Sequence, residues 1–482
     1  MRSWCCYLSV SVCCVPLPFF QTEEMSIYLI LGLFLVIFMT SSVRNIYSSC
    51  NKIKFNSKLV TKKLYFPSKI ISSSFCTSLF SSKSSDEINS INSELPQAID
   101  ENYDIKEHRF SVAPMMDYTD RHQRYFFSLI SSKSVLYTEM VTCNALVRNF
   151  EEAENKKQKL IDDNIEMNDI NAYHVGVDRF LEADFHLPNP LVLQLGGNNV
   201  EQMYKAAKLG KEFGYNEINI NCGCPSPKVS GDGCFGAALM LQPQLLIQLC
   251  NAVTKAANKL PTVKCRIGVN DQDSYEFLSQ FIKQIHSQTG VEHFIVHARK
   301  AVLNANFSPA DNRNIPPLKY DYVYRLVQEF PHLHFTINGG ILNYEDCLGH
   351  INQGVHGVMV GRGVVNTPYY WRHVDNIIYN DNDANDANDA NDNVLNKRIG
   401  NQLNRYAILD KYGDYCKAIE ETRGPKSRRA LMKPVLGLFA GELNGRKFRS
   451  NLDSLILNQN MNLKEVFLEA ASVLNDDTLL SA

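Results

Sequence analysis

The sequence predicts an α/β chain built as a (β/α)8 barrel of the TIM type and followed by a small helical domain. Three observations predict it. Between Phe110 and Val360, eight short β-type runs alternate with helix-type stretches over about 250 residues, the usual span of such a barrel. Each run stops at residues unsuited to a core, and barrels carry their chemistry on that face. A doubly wound sheet would also alternate, but it would gather its polar strand ends at one crevice. Finally, the tract from Asn380 to Asn393 holds only Asn, Asp and Ala. It cannot fold on a core, so it separates the barrel from the C-terminal segment.

The first hundred residues precede this pattern. Ile27 to Met39 is an apolar run of thirteen residues, too short for a comfortable membrane span and the size of a signal-peptide core. Between Ser41 and Ser85 there are eight Lys or Arg, no Asp or Glu, and abundant Ser, as in an organelle transit peptide. Together they resemble the bipartite presequence of a plastid of secondary origin. Residues 1–100 are therefore expected to act as a targeting segment, and the mature protein to have no stable membrane association. A signal anchor, a mitochondrial presequence, or a mispredicted start codon with Met25 as a sensible start are the alternatives, with the mitochondrion or cytoplasm as the other locations.

The barrel is expected over 108–375. Its strands are Phe110–Ala113, Val135–Thr138, Leu191–Leu195, Glu217–Asn221, Thr262–Arg266, His293–Val296, Leu333–Ile337 and Gly357–Val360. They end respectively at Pro114-Met-Met-Asp117, Glu139-Met140, Gln194 with Gly196-Gly197, Asn221 to Pro225, Lys264 with Arg266, His297 with Arg299, Asn338-Gly-Gly340, and Gly361-Arg362. A linker over 376–395 and a helical segment over 396–475 complete the chain; Leu463, Val466, Phe467 and Ala470 have helical spacing.

The fourth strand alternates Ile218 and Ile220 with Asn219 and Asn221, then breaks at Cys, Gly and Pro. A cysteine between Gly223 and Pro225 at a strand's carboxyl end stands at the mouth of a pocket, which nominates Cys224 as the reacting group. Gly231-Asp-Gly-Cys-Phe-Gly236 fits a dinucleotide fingerprint only superficially. Gly231 comes ten residues after Asn221, and no acid occurs from Ala237 to Asn270 to hold a ribose. Cys222, Cys224 and Cys234 lack zinc spacing and a second cluster, so no metal is expected. Six of the 14 cysteines precede residue 80 and the rest are scattered, which reads as a reduced fold without a disulfide scaffold.

The last two strand ends specify a ligand class. Asn338-Gly339-Gly340 and Gly361-Arg362 follow strands seven and eight, where barrels commonly hold a phosphate through backbone amides. Arg362 adds charged donors. Gln194 can contact a planar heterocycle, and Lys264 and His297 offer cationic or hydrogen-bond donors. A positive charge beside the pyrimidine end of a flavin stabilises its reduced anion, so FMN fits phosphate and heterocycle together.

These motifs together resemble the tRNA-dihydrouridine synthases, specifically the A branch known best from bacteria. The stretches that carry it are Ala113-Pro-Met-Met-Asp-Tyr-Thr-Asp120, Tyr137-Thr-Glu-Met140, Gln194-Leu-Gly-Gly197, Asn219-Ile-Asn-Cys-Gly-Cys-Pro-Ser226, Val263-Lys-Cys-Arg-Ile-Gly268, Asp271-Gln-Asp-Ser-Tyr-Glu-Phe277, His297-Ala-Arg-Lys300, Ile315-Pro-Pro317, Ile337-Asn-Gly-Gly340 and Gly357-Val-Met-Val-Gly-Arg362. The resemblance implies FMN contacts at Pro114, Met115, Met116, Gln194, Lys264, His297, Asn338, Gly339, Gly340, Gly361 and Arg362, with NADPH or NADH as reductant. It implies that Cys224 is the catalytic acid and Asn221 orients the target uracil, a D-loop uridine at position 20 or 20a. Cys222 replaces a usual apolar residue, Asp117-Tyr118 is a mild variant, and Asn149–Ala172 reads as an inserted polar loop.

Reducing a uracil 5,6-double bond takes a hydride at C6 and a proton at C5, and a thiol of ordinary pKa is mostly protonated at neutral pH. A stacked uracil must first be extruded, which calls for a cationic surface beside the mouth. The net charge of -2 supplies none globally. Locally, Glu421–Arg449 holds eight basic residues against two acids, and Arg428, Arg429 and Lys433 are nominated for tRNA, with Lys300 and Arg313 in second rank. An FMN barrel acting on a free pyrimidine and a catalytically idle tRNA-binding protein are the competing functions. The basic segment opposes the first and the intact Cys224 the second.

Overall fold

The computed structural model describes residues 108–162, 175–182, 186–230, 235–304, 306–379 and 403–481. The segment expected to act in targeting, 163–172 of the insert, Cys234 and the linker from 380 onward lie outside the described residues. Nine strands form one parallel sheet: β1 Phe110–Val112, β2 Val135–Tyr137, β3 Val141–Thr142, β4 Leu191–Gly196, β5 Glu217–Cys222, β6 Thr262–Arg266, β7 His293–His297, β8 His334–Asn338 and β9 Gly357–Val360. The sheet runs β2-β1-β9-β8-β7-β6-β5-β4, and β2 pairs again with β4, which closes the eight-stranded barrel. The expected strands lie within one residue of these limits. The exception is β3, a two-residue strand beside β4 that is too short to show a period in the sequence.

Strand alternation sets what faces inward. Ala113, Val135, Tyr137, Val192, Ile295 and Met359 cluster in the interior, so residues two positions along from them face inward as well. That rule puts Gln194, His293 and His297 inside, and the pairing register carries it to Asn219, Thr262 and Asn338. The opposite face carries Ile218, Ile220, Val263, Phe294, Val296, Ile337 and Val358, all fully or nearly fully buried under the outer helices. The interior of β4 to β8 is thus unusually polar for a barrel.

The outer helices are fixed by local chemistry. Val200–Glu212, Tyr275–Thr289 and Tyr344–Asn352 are capped by the side chains of Asn199, Ser274 and Asn343, each accepting from a backbone N–H of the first turn. Gly290 ends the second of these in the left-handed conformation. Cys143–Asp162 is a twenty-residue helix, so the first part of the segment read as a polar loop is helical. Its Glu151 pairs with Lys205 of the Val200–Glu212 helix at 3.0 Å, which explains why a polar stretch is ordered there.

The chain after the linker packs directly on the barrel. Tyr415, on the helix Arg405–Arg423, stacks on Tyr125 at 4.0 Å and bonds His122 Nδ1 at 2.8 Å. Both Tyr125 and His122 belong to the helix Arg121–Ser128 that follows β1. Glu182 receives both Arg121 and Arg423, a second clamp across the same seam. Helices continue to Asp476–Leu480, five residues beyond the expected end of the helical segment.

Candidate active site

Cys224 is held in place from three sides. β5 ends at Cys222, and the Asn221 side-chain oxygen then accepts from the backbone N–H of Cys224 at 3.0 Å and of Gly223 at 3.3 Å. The Arg266 Nε donates to the Gly223 carbonyl at 2.8 Å. Gly236 closes the third side, where its positive φ and a Cβ 2.7 Å from the Cys224 carbonyl oxygen would make any side chain clash. Strand alternation alone would put Cys224 on the helix-facing side with the fully buried Cys222. The turn at Gly223 redirects it toward the mouth, half-buried and free. Burial raises its thiol pKa, and the Arg266, Lys264 and Arg313 charges offset part of that rise. The thiol is therefore the resting form at neutral pH, as an acid requires.

Around it the charges are of one sign. Lys264 on β6 donates to Asn338 Oδ1 at 3.1 Å, and burial together with the Arg266 charge lowers its ammonium to about 8. His297 ends β7; burial first, then the charges of Arg266, Lys264, Arg299 and Arg362, hold its pKa well below the ordinary range. A neutral imidazole results, and its Nδ1 is buried without a hydrogen-bond partner. Gly339 and Gly340 take positive φ, and a Cβ on Gly339 would sit 3.2 Å from the His297 ring. On Gly361 a Cβ would sit 3.2 Å from the Met115 sulfur. Backbone glycines, imidazole and ammonium thus converge on one cationic cradle, where Leu318, Tyr320 and Met115 leave no room for a larger residue at the glycine positions.

The remaining nominated residues are placed around this centre. Pro114 and Met115 are half-buried at the end of β1 and Met116 is 56% exposed on the rim. Gln194 is buried, and its amide already bonds Asn219 and Asn221, leaving one N–H and one lone pair for a ligand. Arg362 is exposed and reaches Asn314 Oδ1 at 3.0 Å, joining the loops after β7 and β9. Arg313 is exposed beside it, whereas Lys300 pairs with Asp273 at 3.2 Å.

Of the basic segment, Lys433 is exposed and donates to the Asp117 carbonyl at 3.2 Å, so this part of the chain reaches the barrel rim. Arg429 is exposed too. Arg428 corrects the expectation: it is 5% exposed, paired with Glu420, and donates to the carbonyls of Ile456, Asn458 and Met461. With four of its five N–H groups engaged and the side chain buried, this guanidinium ties helices together instead of facing a phosphate. Sequence reading also passed over the roles of Arg266, Asn219 and Tyr320, whose hydroxyl donates to the Gly339 carbonyl at 2.6 Å. Two-residue spacing from Lys264 and Asn221 was the signal for the first two; Tyr320 left none.

The model of the dihydrouridine synthase family matches residues 111–433, which spans the barrel and the segment carrying Lys433. The chain belongs to the dihydrouridine synthase family. Curated relatives agree. A tRNA-dihydrouridine(20/20a) synthase of Shewanella oneidensis is 36% identical over 367 residues, covering 76% of this chain and 94% of that protein. Proteins of the same name are 41% identical in Escherichia coli K12, over 71% of this chain and 85% of the relative, and 43% identical in Vibrio parahaemolyticus, over 57% and 74%. A dihydrouridine synthase is a flavin-dependent oxidoreductase. The cradle of Lys264, His297, Asn338 and the three glycines suits the anionic, planar group such an enzyme needs.

Proposed function

We propose that this dihydrouridine synthase reduces the 5,6-double bond of a D-loop uridine at position 20 or 20a of tRNA, with FMN as cofactor and NADPH or NADH as reductant. The observation that carries the reading is a half-buried thiol whose turn is fixed by Asn221 and Arg266 beside a cationic cradle. The names of the relatives support the RNA site. FMN would be held by Lys264, His297, Asn338, Gly339, Gly340, Gly361 and Arg362, with Pro114, Met115 and Gln194 against the ring. Once reduced, it supplies a hydride for C6 of the uracil.

The chain does the rest. Cys224 Sγ gives its proton to C5 and is reprotonated from solvent, so each turnover adds one hydride and one proton. Lys264 keeps negative charge favourable at the pyrimidine end of the ring. The neutral His297 adds a hydrogen bond at its buried Nδ1 without a second titrating charge. Lys433, which reaches the rim at Asp117, and the exposed Arg313 and Arg429 would hold phosphates while the uridine is extruded. Residues 1–100 are assigned to plastid delivery; a fluorescent fusion of the full chain should label that organelle, and diffuse cytosolic signal would reject the assignment.

Expression in bacteria lacking their own position-20 enzyme tests the function. Dihydrouridine should return at 20 and 20a with the wild-type chain and not with Cys224→Ala. Folded wild-type protein that restores none would overturn the reading.

A further inference from the structure

We propose that Asn219, Thr262 and Glu217 are positioning residues that act on Cys224 from deep in the barrel, through a single file of side-chain hydrogen bonds. The proposal builds on the reading of Cys224 as the acid. Its direction follows from two backbone groups. Gly223 and Cys224 present N–H, so the Asn221 atom they meet is its oxygen, and the Asn221 nitrogen faces Gln194. That nitrogen donates to Gln194 Oε1 at 2.8 Å, which turns the Gln194 nitrogen to Asn219 Oδ1 at 2.8 Å. Asn219 then donates to Thr262 Oγ1 at 2.9 Å, and the Thr262 hydroxyl gives its proton to Glu217 Oε1.

Reversing any amide in the file would set two donors or two acceptors face to face. Water offers no substitute, since Gln194, Asn219, Asn221, Thr262 and Glu217 are between 0 and 8% exposed. Successive members lie on neighbouring strands, with Gln194 beside Asn219 and Asn219 beside Thr262 in register, so the closed sheet fixes their separations. Glu217 Oε1 ends the file as the acceptor of the Thr262 hydroxyl. At the far end His108 Nε2 lies 3.2 Å from the other Glu217 oxygen, and His293 Nε2 bonds Thr336 at 2.8 Å. Among the described residues His108, Glu217 and His293 are close enough to hold a metal. The file ends on Glu217, whose second oxygen is buried beside His108 Nε2 without a hydrogen bond of its own.

Cutting the file should leave Asn221 free to turn and the Gly223–Cys224 turn loosely held. The test uses the full chain with and without FMN. Thr262→Val removes the link at nearly constant shape, and Thr262→Ser restores it. Thr262→Val should lower kcat for tRNA reduction about tenfold, with KM for tRNA unchanged, as loss of a transition-state arrangement does. In the flavin-free protein the rate of iodoacetamide alkylation at Cys224, read by peptide mass spectrometry, should rise several-fold. Thr262→Ser should return both to wild type, and Asn219→Leu, cut one link nearer the thiol, should repeat the Val defects. Wild-type kcat and alkylation in Thr262→Val, or equal impairment in Thr262→Ser, would overturn the proposal. So would loss of folding in both Thr262→Val and Asn219→Leu, which would make the file a folding element only. A wild-type chain inert toward tRNA would reject the function itself, while the alkylation arm would still decide whether the file grips Cys224.

Discussion

At the scale of single residues, two titrations of opposite sign govern the chemistry. Burial raises the Cys224 thiol above its ordinary range, so alkylation should be slow at pH 7 and its midpoint should lie on the alkaline side of an unperturbed cysteine. Fast alkylation at neutral pH would show a thiolate and remove the acid. Lys264 is lowered to about 8, so its charge is present below that pH and lost above it. Activity should therefore fall as pH rises through about 8, and Lys264→Arg should move that limb upward; an unmoved limb would assign it to another group. Cys222→Ala should cost about 1 kcal/mol of stability through a small core cavity and leave the acid intact. Cys224, Lys264 and His297 were legible because strand ends in a barrel face one mouth. Arg266 was seen only as a polar strand end, because its grip on the Gly223 carbonyl depends on a turn whose path no periodicity encodes.

Among the elements, the basic segment divides by burial in a way that composition could not reveal. Arg428 and Arg429 are adjacent, yet helical geometry turns one into the Glu420 pocket and the other to solvent. Arg428→Ala would leave the Ile456, Asn458 and Met461 carbonyls and the half-buried Glu420 without their cation, so it should destabilise the fold by about 3 kcal/mol in chemical unfolding. A change under 1 kcal/mol would contradict that clamp. Arg429→Ala with Lys433→Ala should leave stability unchanged while weakening tRNA binding and flattening its log-log salt slope by roughly 0.7 to 0.9 for each phosphate no longer neutralised. An unchanged slope would move the RNA surface to Arg313. The Cys143–Asp162 helix escaped sequence reading because its charged residues look like a loop until Lys205 is placed beside Glu151.

Taken whole, the molecule joins a barrel with a cationic cradle at its mouth to a helical end whose Lys433 reaches the same rim. Barrel topology could be read in the sequence because each strand carries its own start, alternation and polar stop. The seam between barrel and helical end could not, since Tyr125, His122 and Tyr415 carry no shared pattern until the fold stacks them. The polar barrel interior was half visible: alternation marked Asn219 and Asn221, whereas their connection to Thr262 and Glu217 needs the register between strands. The most direct test is an anaerobic single turnover with FMN-loaded, NADPH-reduced protein and unmodified tRNA. Wild type should return the flavin absorbance to the oxidised form and yield one dihydrouridine, at position 20 or 20a, per flavin. Cys224→Ala should be reduced by NADPH normally and then react with tRNA roughly 10²–10⁴-fold more slowly. Equal rates for the two proteins, or flavin reoxidation without dihydrouridine, would contradict the account.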